Sequence, residues 1–169
     1  MTWNEEAVEA LRARDVEVVA YLPDTVLDPL VTQVEEDDDF EAMRVSREEE
    51  AVAILTGAWL AGRRGALVCQ SSGLANCINV LGSHAKPEGL PFVGLVSARG
   101  GLGDHNYAQV PGGYGMQGVL DSIPVRNERI EPCDDVGLCV DLAAKSAFSA
   151  EDPYVLLLDQ RVTGVKPGR

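Results

Sequence analysis

The chain has 169 residues, 27 acids against 14 bases for a net charge of −13, and 46% apolar residues. That length and apolar share suit one domain with a full core and exclude a disordered chain. The acidity argues against nucleic-acid and anionic-membrane partners, which need a basic footprint, and no apolar run is long enough to cross a bilayer.

The first segment, "NEEAVEALRARD", has helical spacing and lacks the basic start and apolar stretch of a signal peptide, so a cytoplasmic location is expected. "VEVVAYL" is a β-branched strand closed by "PD". "TVLDPLVTQVEED" predicts a helix capped by Asp24 or Thr25, with Pro29 kinking or delaying it. "FEAMRV" is a short strand. "REEEAVAILTGAWLAGRR" is the strongest helix, with Ser46 as N-cap and Ser46–Glu49 at capping-box spacing.

"GALVCQ" is an apolar strand that ends at "SSG", where the helix "LANCINVLGSHA" opens. "LPFVGLVSA" is the most apolar strand, followed by a long glycine-rich loop, "RGGLGDHNYAQVPGGYG", of the kind that often carries function. The helix "MQGVLDSI", the edge strand "PVRNERIE", the helix "DVGLCVDLAAKSAFSA" and the strand "PYVLLLD" complete the chain. This alternation predicts an α/β fold: a Rossmann-like three-layer αβα sandwich around a mostly parallel sheet, one domain over residues 1–169. Such sheets bind ligands at the carboxyl ends of their strands. Asp24, the stretch Gln70 to Gly73, and Arg99 onward all fall at strand ends.

Four cysteines without a Cys-x-x-Cys pair, and only two histidines, give no metal-site spacing, so reduced thiols and no bound metal are expected. The acid run Glu48–Glu49–Glu50 suits a helix first turn, where the dipole favours carboxylates. The small residues Ala51, Gly57, Ala58 and Ala61 on the same helix permit close packing, and a carboxylate partly removed from water at such a surface suits proton work. Ser71, Ser72 and Gly73 at a helix start offer amides to an anion or polar ring, or form a plain capped turn. "GGYGMQG" fits Gly-x-Gly-x-x-Gly at Gly113, Gly115 and Gly118, but it follows a loop rather than a strand, so a flexible loop closing over a ligand is preferred to a dinucleotide site. Arg99 stands six residues before His105 and could take a carboxylate, sulfonate or phosphonate in two-pronged fashion.

Taken together, "YLPDTVLDPLV", "REEEAVAILTGAWLAG", "CQSSGLANCINVL" and "LVSARGG" resemble the pyrimidine-binding domain of thiamine diphosphate-dependent decarboxylases over nearly the whole chain. The likeness is nearest to the alpha subunits of the sulfopyruvate decarboxylases, with the phosphonopyruvate decarboxylases next. It implies that Glu48, nine residues before Gly57, hydrogen-bonds the cofactor's aminopyrimidine and so promotes proton loss from the thiazolium. It also implies that Ser72, Gly73 and Asn76 lie near the cofactor or a dimer interface, and that Asp24, Arg99, His105 and Gln109 face the substrate.

The family's diphosphate- and Mg²⁺-binding domain carries Gly-Asp-Gly; here "GDHN" is the nearest string. The resemblance therefore implies a separate diphosphate-binding beta subunit that holds Mg²⁺ and shares thiamine diphosphate with this chain, self-association within a hetero-oligomer, and a small anionic 2-oxo acid as substrate. Sulfopyruvate, cleaved to sulfoacetaldehyde and CO₂, is the expected substrate. Phosphonopyruvate or another 2-oxo acid, and a non-catalytic regulatory Rossmann-like subunit, are the competing expectations.

Overall fold

The computed structural model describes residues 1–164. Six strands form one sheet: β1 (Val16–Tyr21), β2 (Glu41–Arg44), β3 (Arg64–Gln70), β4 (Val93–Ala98), β5 (Arg126–Ile130) and β6 (Tyr154–Asp159). Their order is β2-β1-β3-β4-β6-β5, and every neighbouring pair is parallel. The continuous apolar runs explain the middle of the sheet: all six residues of β4 are buried, as expected where helices cover both faces. Leu95 of β4 stands between Val68 of β3 and Leu156 of β6 and is fully buried; a leucine so placed contributes about 1.5–3 kcal/mol.

Alternate residues point to opposite layers. Val19, Val68, Leu95 and Leu156 meet α1 (Trp3–Ala13), α2 (Asp28–Glu35) and α8 (Val136–Ala150) through Leu11, Leu30, Val34, Val140 and Ala144. Val18, Leu67, Val96 and Leu157 meet α3 (Glu48–Leu60) through Val52 and Leu55, along with Leu74, Leu81 and Leu120. These two cores give the three layers expected from the sequence. Among the described residues no helix is long and apolar enough to cross a membrane, and all four cysteines are free.

Several local expectations shift. Pro29 delays α2, which starts at Asp28 with the proline in its first turn, where its missing N–H is harmless. Ser46 is not the cap of α3. Arg47 takes the extended cap conformation, and Glu50 reaches back to accept from the Ser46 amide at 2.9 Å. The helix after β3 is broken into α4 (Ser71–Leu74), a 3-10 turn (Ala75–Cys77), α5 (Ile78–Val80) and a π turn (Leu81–Ala85). The glycine-rich segment holds a short helix, α6 (Val110–Tyr114), ahead of α7 (Met116–Ser122), and α9 (Gln160–Thr163) follows β6. The last strand lies inside the sheet, between β4 and β5.

Helix α3 is apolar on both sides. Ala51, Val52 and Leu55 enter the core, while Ala53, Gly57 and Leu60 face outward. Nothing lies within 4 Å of where a side chain on Gly57 would start.

Candidate functional site

The carboxyl ends of β1, β3, β4 and β6, with the start of α3, gather the buried polar side chains Asp24, Glu48, Ser71, Ser97, Arg99, Asp159 and Gln160. They fall into two groups.

The first group surrounds Glu48, the first residue of α3, which is 4% exposed. Gly73, in α4 beyond β3, lies against it: a Cβ at position 73 would stand 2.0 Å from Glu48 Oε1. Only glycine leaves room for the carboxylate there. Asn76, on the exposed side of the 3-10 turn, donates its Nδ2–H to Glu48 Oε2 at 2.9 Å. Ser72 lies half-buried beside Gly73 in the chain. Cys69 and Cys77 are both fully buried. Burial first, and then the nearby Glu48 charge, push the Cys77 thiol up to about 12. Burial, followed by Cys77 and Glu48, drives Cys69 up as well. Both stay protonated at neutral pH and act as core groups rather than nucleophiles.

The second group is built on Arg99, the largest fully buried side chain among the described residues, 1% exposed. Its Nε and Nη2 donate to the two oxygens of Asp104 at 3.0 and 3.3 Å. Asp104 also accepts from the amides of Gly100 (2.9 Å) and Asn106 (3.0 Å) and from Gln160 Nε2 (3.1 Å). Burial alone would raise this carboxyl, but the Arg99 and backbone hydrogen bonds outweigh it and hold it well below the usual carboxylate range. Arg99 Nη1 lies 3.8 Å from Asp24 Oδ1, and Asp24 Oδ2 accepts from the Ser97 hydroxyl at 2.5 Å. The Arg99 amide donates to Ser71 Oγ at 3.0 Å, tying the end of β4 to the start of α4.

Residues 99–109 thus form a strap fastened over the strand ends. Gln109 Nε2 donates to Gln70 Oε1 at 3.1 Å at the end of β3. Gly100 adopts a left-handed φ of +81°, and a side chain at Gly113 would come within 2.4 Å of the Arg99 carbonyl. The flexible loop expected around Gly113 is therefore packed down at its base. Next to it, the Asp159 carboxylate is held well below its usual range by Arg161, with Arg129 also donating at 2.7 Å.

The site residues anticipated from sequence separate accordingly. Glu48, Gly73 and Asn76 come together, and Asp24 and Gln109 lie along the same strand ends. Arg99, expected to face the substrate, is instead enclosed, with two of its three nitrogens on Asp104 and its third without a hydrogen-bond partner. His105 is exposed on the outer side of the strap. Ser97, Asp104 and Gln160 were given no role from sequence, whereas Ser71 was expected to offer its amide to a ligand and here accepts from the Arg99 amide on its hydroxyl. The available signals were that Asp104 follows Arg99 by five positions in a glycine-rich stretch, and that Gln160 follows a strand end. Among the described residues no group of three or more His, Cys, Asp or Glu is arranged to hold a metal ion.

No family model matches the chain. It is 31% identical over 159 residues to the sulfopyruvate decarboxylase subunit alpha of Methanococcus maripaludis, an alignment that covers 94% of this chain and 95% of that one. It is 30% identical over 168 residues to the phosphonopyruvate decarboxylase of Streptomyces viridochromogenes, covering 96% of this chain but 41% of the larger relative. Its fold matches part of a 2-oxoglutarate:ferredoxin oxidoreductase from Magnetococcus marinus with a TM-score of 0.70 at 18% identity, over 96% of this chain and 29% of that one.

Proposed function

The chain belongs to the sulfopyruvate decarboxylase alpha-subunit family, and from that premise we propose that it is the pyrimidine-binding subunit of a thiamine diphosphate-dependent decarboxylase converting sulfopyruvate to sulfoacetaldehyde and CO₂. The observation that carries this reading is the buried Glu48 carboxylate, backed by Gly73 and held on one oxygen by Asn76. The absence of a side chain at position 73 lets the carboxylate lie against α4, and a carboxylate that takes one hydrogen bond from the described residues suits a neutral, hydrogen-bonding heterocycle such as the cofactor's aminopyrimidine. Bound thiamine diphosphate would supply an electron sink for the pair left when CO₂ departs.

The chain's own part is to position groups and move a proton. Glu48 would hold and return a proton at its carboxylate, with Asn76 fixing the orientation and Ser72 and Gly73 shaping the wall. Asp24 and Gln109 would meet the substrate from the strand ends, and His105 from the exposed side of the strap. Arg99 would contribute its charge from behind Asp24, out of a ligand's reach.

A separate beta subunit would hold the diphosphate and Mg²⁺. The relatives support this division: the alignment covers 95% of the M. maripaludis alpha subunit but 41% of the longer phosphonopyruvate decarboxylase. The outward face of α3, with Ala53, Gly57 and Leu60, would pack against another chain.

The test is CO₂ release by this chain co-expressed with a diphosphate-binding chain, with thiamine diphosphate and Mg²⁺, comparing sulfopyruvate, phosphonopyruvate and pyruvate. Sulfopyruvate turnover that requires both chains is the expected result. Preference for phosphonopyruvate would reassign the substrate, and no turnover of any 2-oxo acid by an assembled, cofactor-loaded complex would overturn the reading.

A further inference from the structure

We propose that Asp104 is a positioning residue: by fixing the Arg99 guanidinium, it sets the placement of the Asp24 carboxylate. The inference rests on the functional reading above only in taking Asp24 to face the substrate.

Asp104 cannot serve a ligand directly. Its two oxygens already take five donors; enclosure alone does not decide this, since the Asp24 side chain is itself 2% exposed. What it does is orient a cation. A guanidinium is planar and rigid, so holding Nε and Nη2 on one carboxylate fixes where Nη1 points. Here Nη1 points toward Asp24 Oδ1, 3.8 Å away, and makes no hydrogen bond of its own. The other oxygen of Asp24 is fixed by Ser97, from β4, the strand that leads directly into Arg99.

Asp24 is thus held between a hydroxyl and a charge that both belong to the β4 end. It also lines an open cleft with Tyr21, Pro23, Asp28 and Arg44, which neither Arg99 nor Asp104 enters. The pair therefore acts on the cleft from behind, through Asp24. Gln160 completes the arrangement by tying Asp104 to the end of β6, 56 residues away, so the strap cannot shift without disturbing two strand ends.

The experiment is a double-mutant cycle in the assembled two-chain enzyme. Asp104→Asn keeps the shape and removes the charge; its expected effect is a loss in kcat/KM on the order of tenfold, mostly in kcat. In an Asp24→Ala background the same substitution should change kcat/KM by less than about twofold, because the group it positions is gone. Equal losses in both backgrounds, or no loss in either, would overturn the proposal, since a purely structural role does not depend on Asp24. Arg99→Lys, which keeps the charge but not the fork, should reproduce the Asp104→Asn loss and provides a second route if Asp104→Asn does not fold.

Crystals of either variant provide a readout that does not depend on turnover. Asp24 Oδ1 should have moved from its place beside Arg99 Nη1, and an unmoved Asp24 would defeat the proposal. A wild-type complex that decarboxylates nothing would count against the functional reading, while the crystallographic result would still decide this one.

Discussion

Glu48 and Asp104 are two carboxylates enclosed at the same edge of one sheet, and their surroundings are opposite. Asp104 receives five donors, two of them from a guanidinium. Among the described residues Glu48 receives one hydrogen bond, from the neutral amide of Asn76, and faces a glycine. A carboxylate whose lone pairs are filled by the protein is part of the framework. One with lone pairs to spare is available to a ligand, and that availability comes at the expense of stability. Burial alone does not separate the two; the number and charge of the donors does.

The sharpest way to break this contrast is to remove the charge from each in turn. Glu48→Gln should lower CO₂ release by the assembled enzyme on the order of 10³-fold, a typical share for proton transfer, while the urea midpoint of the isolated chain moves little. Asp104→Ala should do the reverse to stability: it strands the enclosed Arg99, and urea unfolding should show a loss of about 3–5 kcal/mol. A smaller effect tests the Gly73 contact. Gly73→Ala places a methyl where Glu48 Oε1 now lies, so the carboxylate must turn away, and activity should fall about 10–100-fold with the fold retained, as judged by circular dichroism.

The mildest test is pH. Asp104 and Asp159 both titrate well below the usual range when folded, whereas unfolded aspartate titrates near about 3.9. Their contribution is complete above that unfolded value and is lost as pH falls through it toward the folded values. The urea midpoint should therefore hold from neutral pH down to about 5 and decline below about 4, with a shallower decline in Asp159→Asn.

Periodicity was enough to read the layers from the sequence. β4 and α8 announce themselves as an unbroken apolar run and a long helical pattern, and Pro29 marks where α2 must begin. Glu48 was legible through its helix and its family resemblance. The framework role of Asp104 was not, because it depends on Gln160, 56 residues away, and on a backbone that folds back through a left-handed Gly100. The same blindness made Arg99 look like a substrate ligand. An arginine at a strand end suits an anion, and nothing local says that the chain supplies that anion itself. Strand order was hidden for a related reason: each strand is written locally, but its neighbours are chosen by long-range packing.

The interior position of β6 has a consequence for how the protein is made. β4 and β5 are not paired with each other, and both pair with a strand spanning residues 154–159. As the chain leaves the ribosome, N-terminal end first, half of the sheet can assemble around β1, β2 and β3. β4 must then keep a bare edge, and β5 has no partner, until those late residues emerge. Helix α3, with its apolar outward face, is synthesised long before that closure. The nascent subunit thus displays a sticky helix and an open strand edge together, the combination most prone to wrong association, and it becomes safe to meet a partner only once β6 slides into the gap.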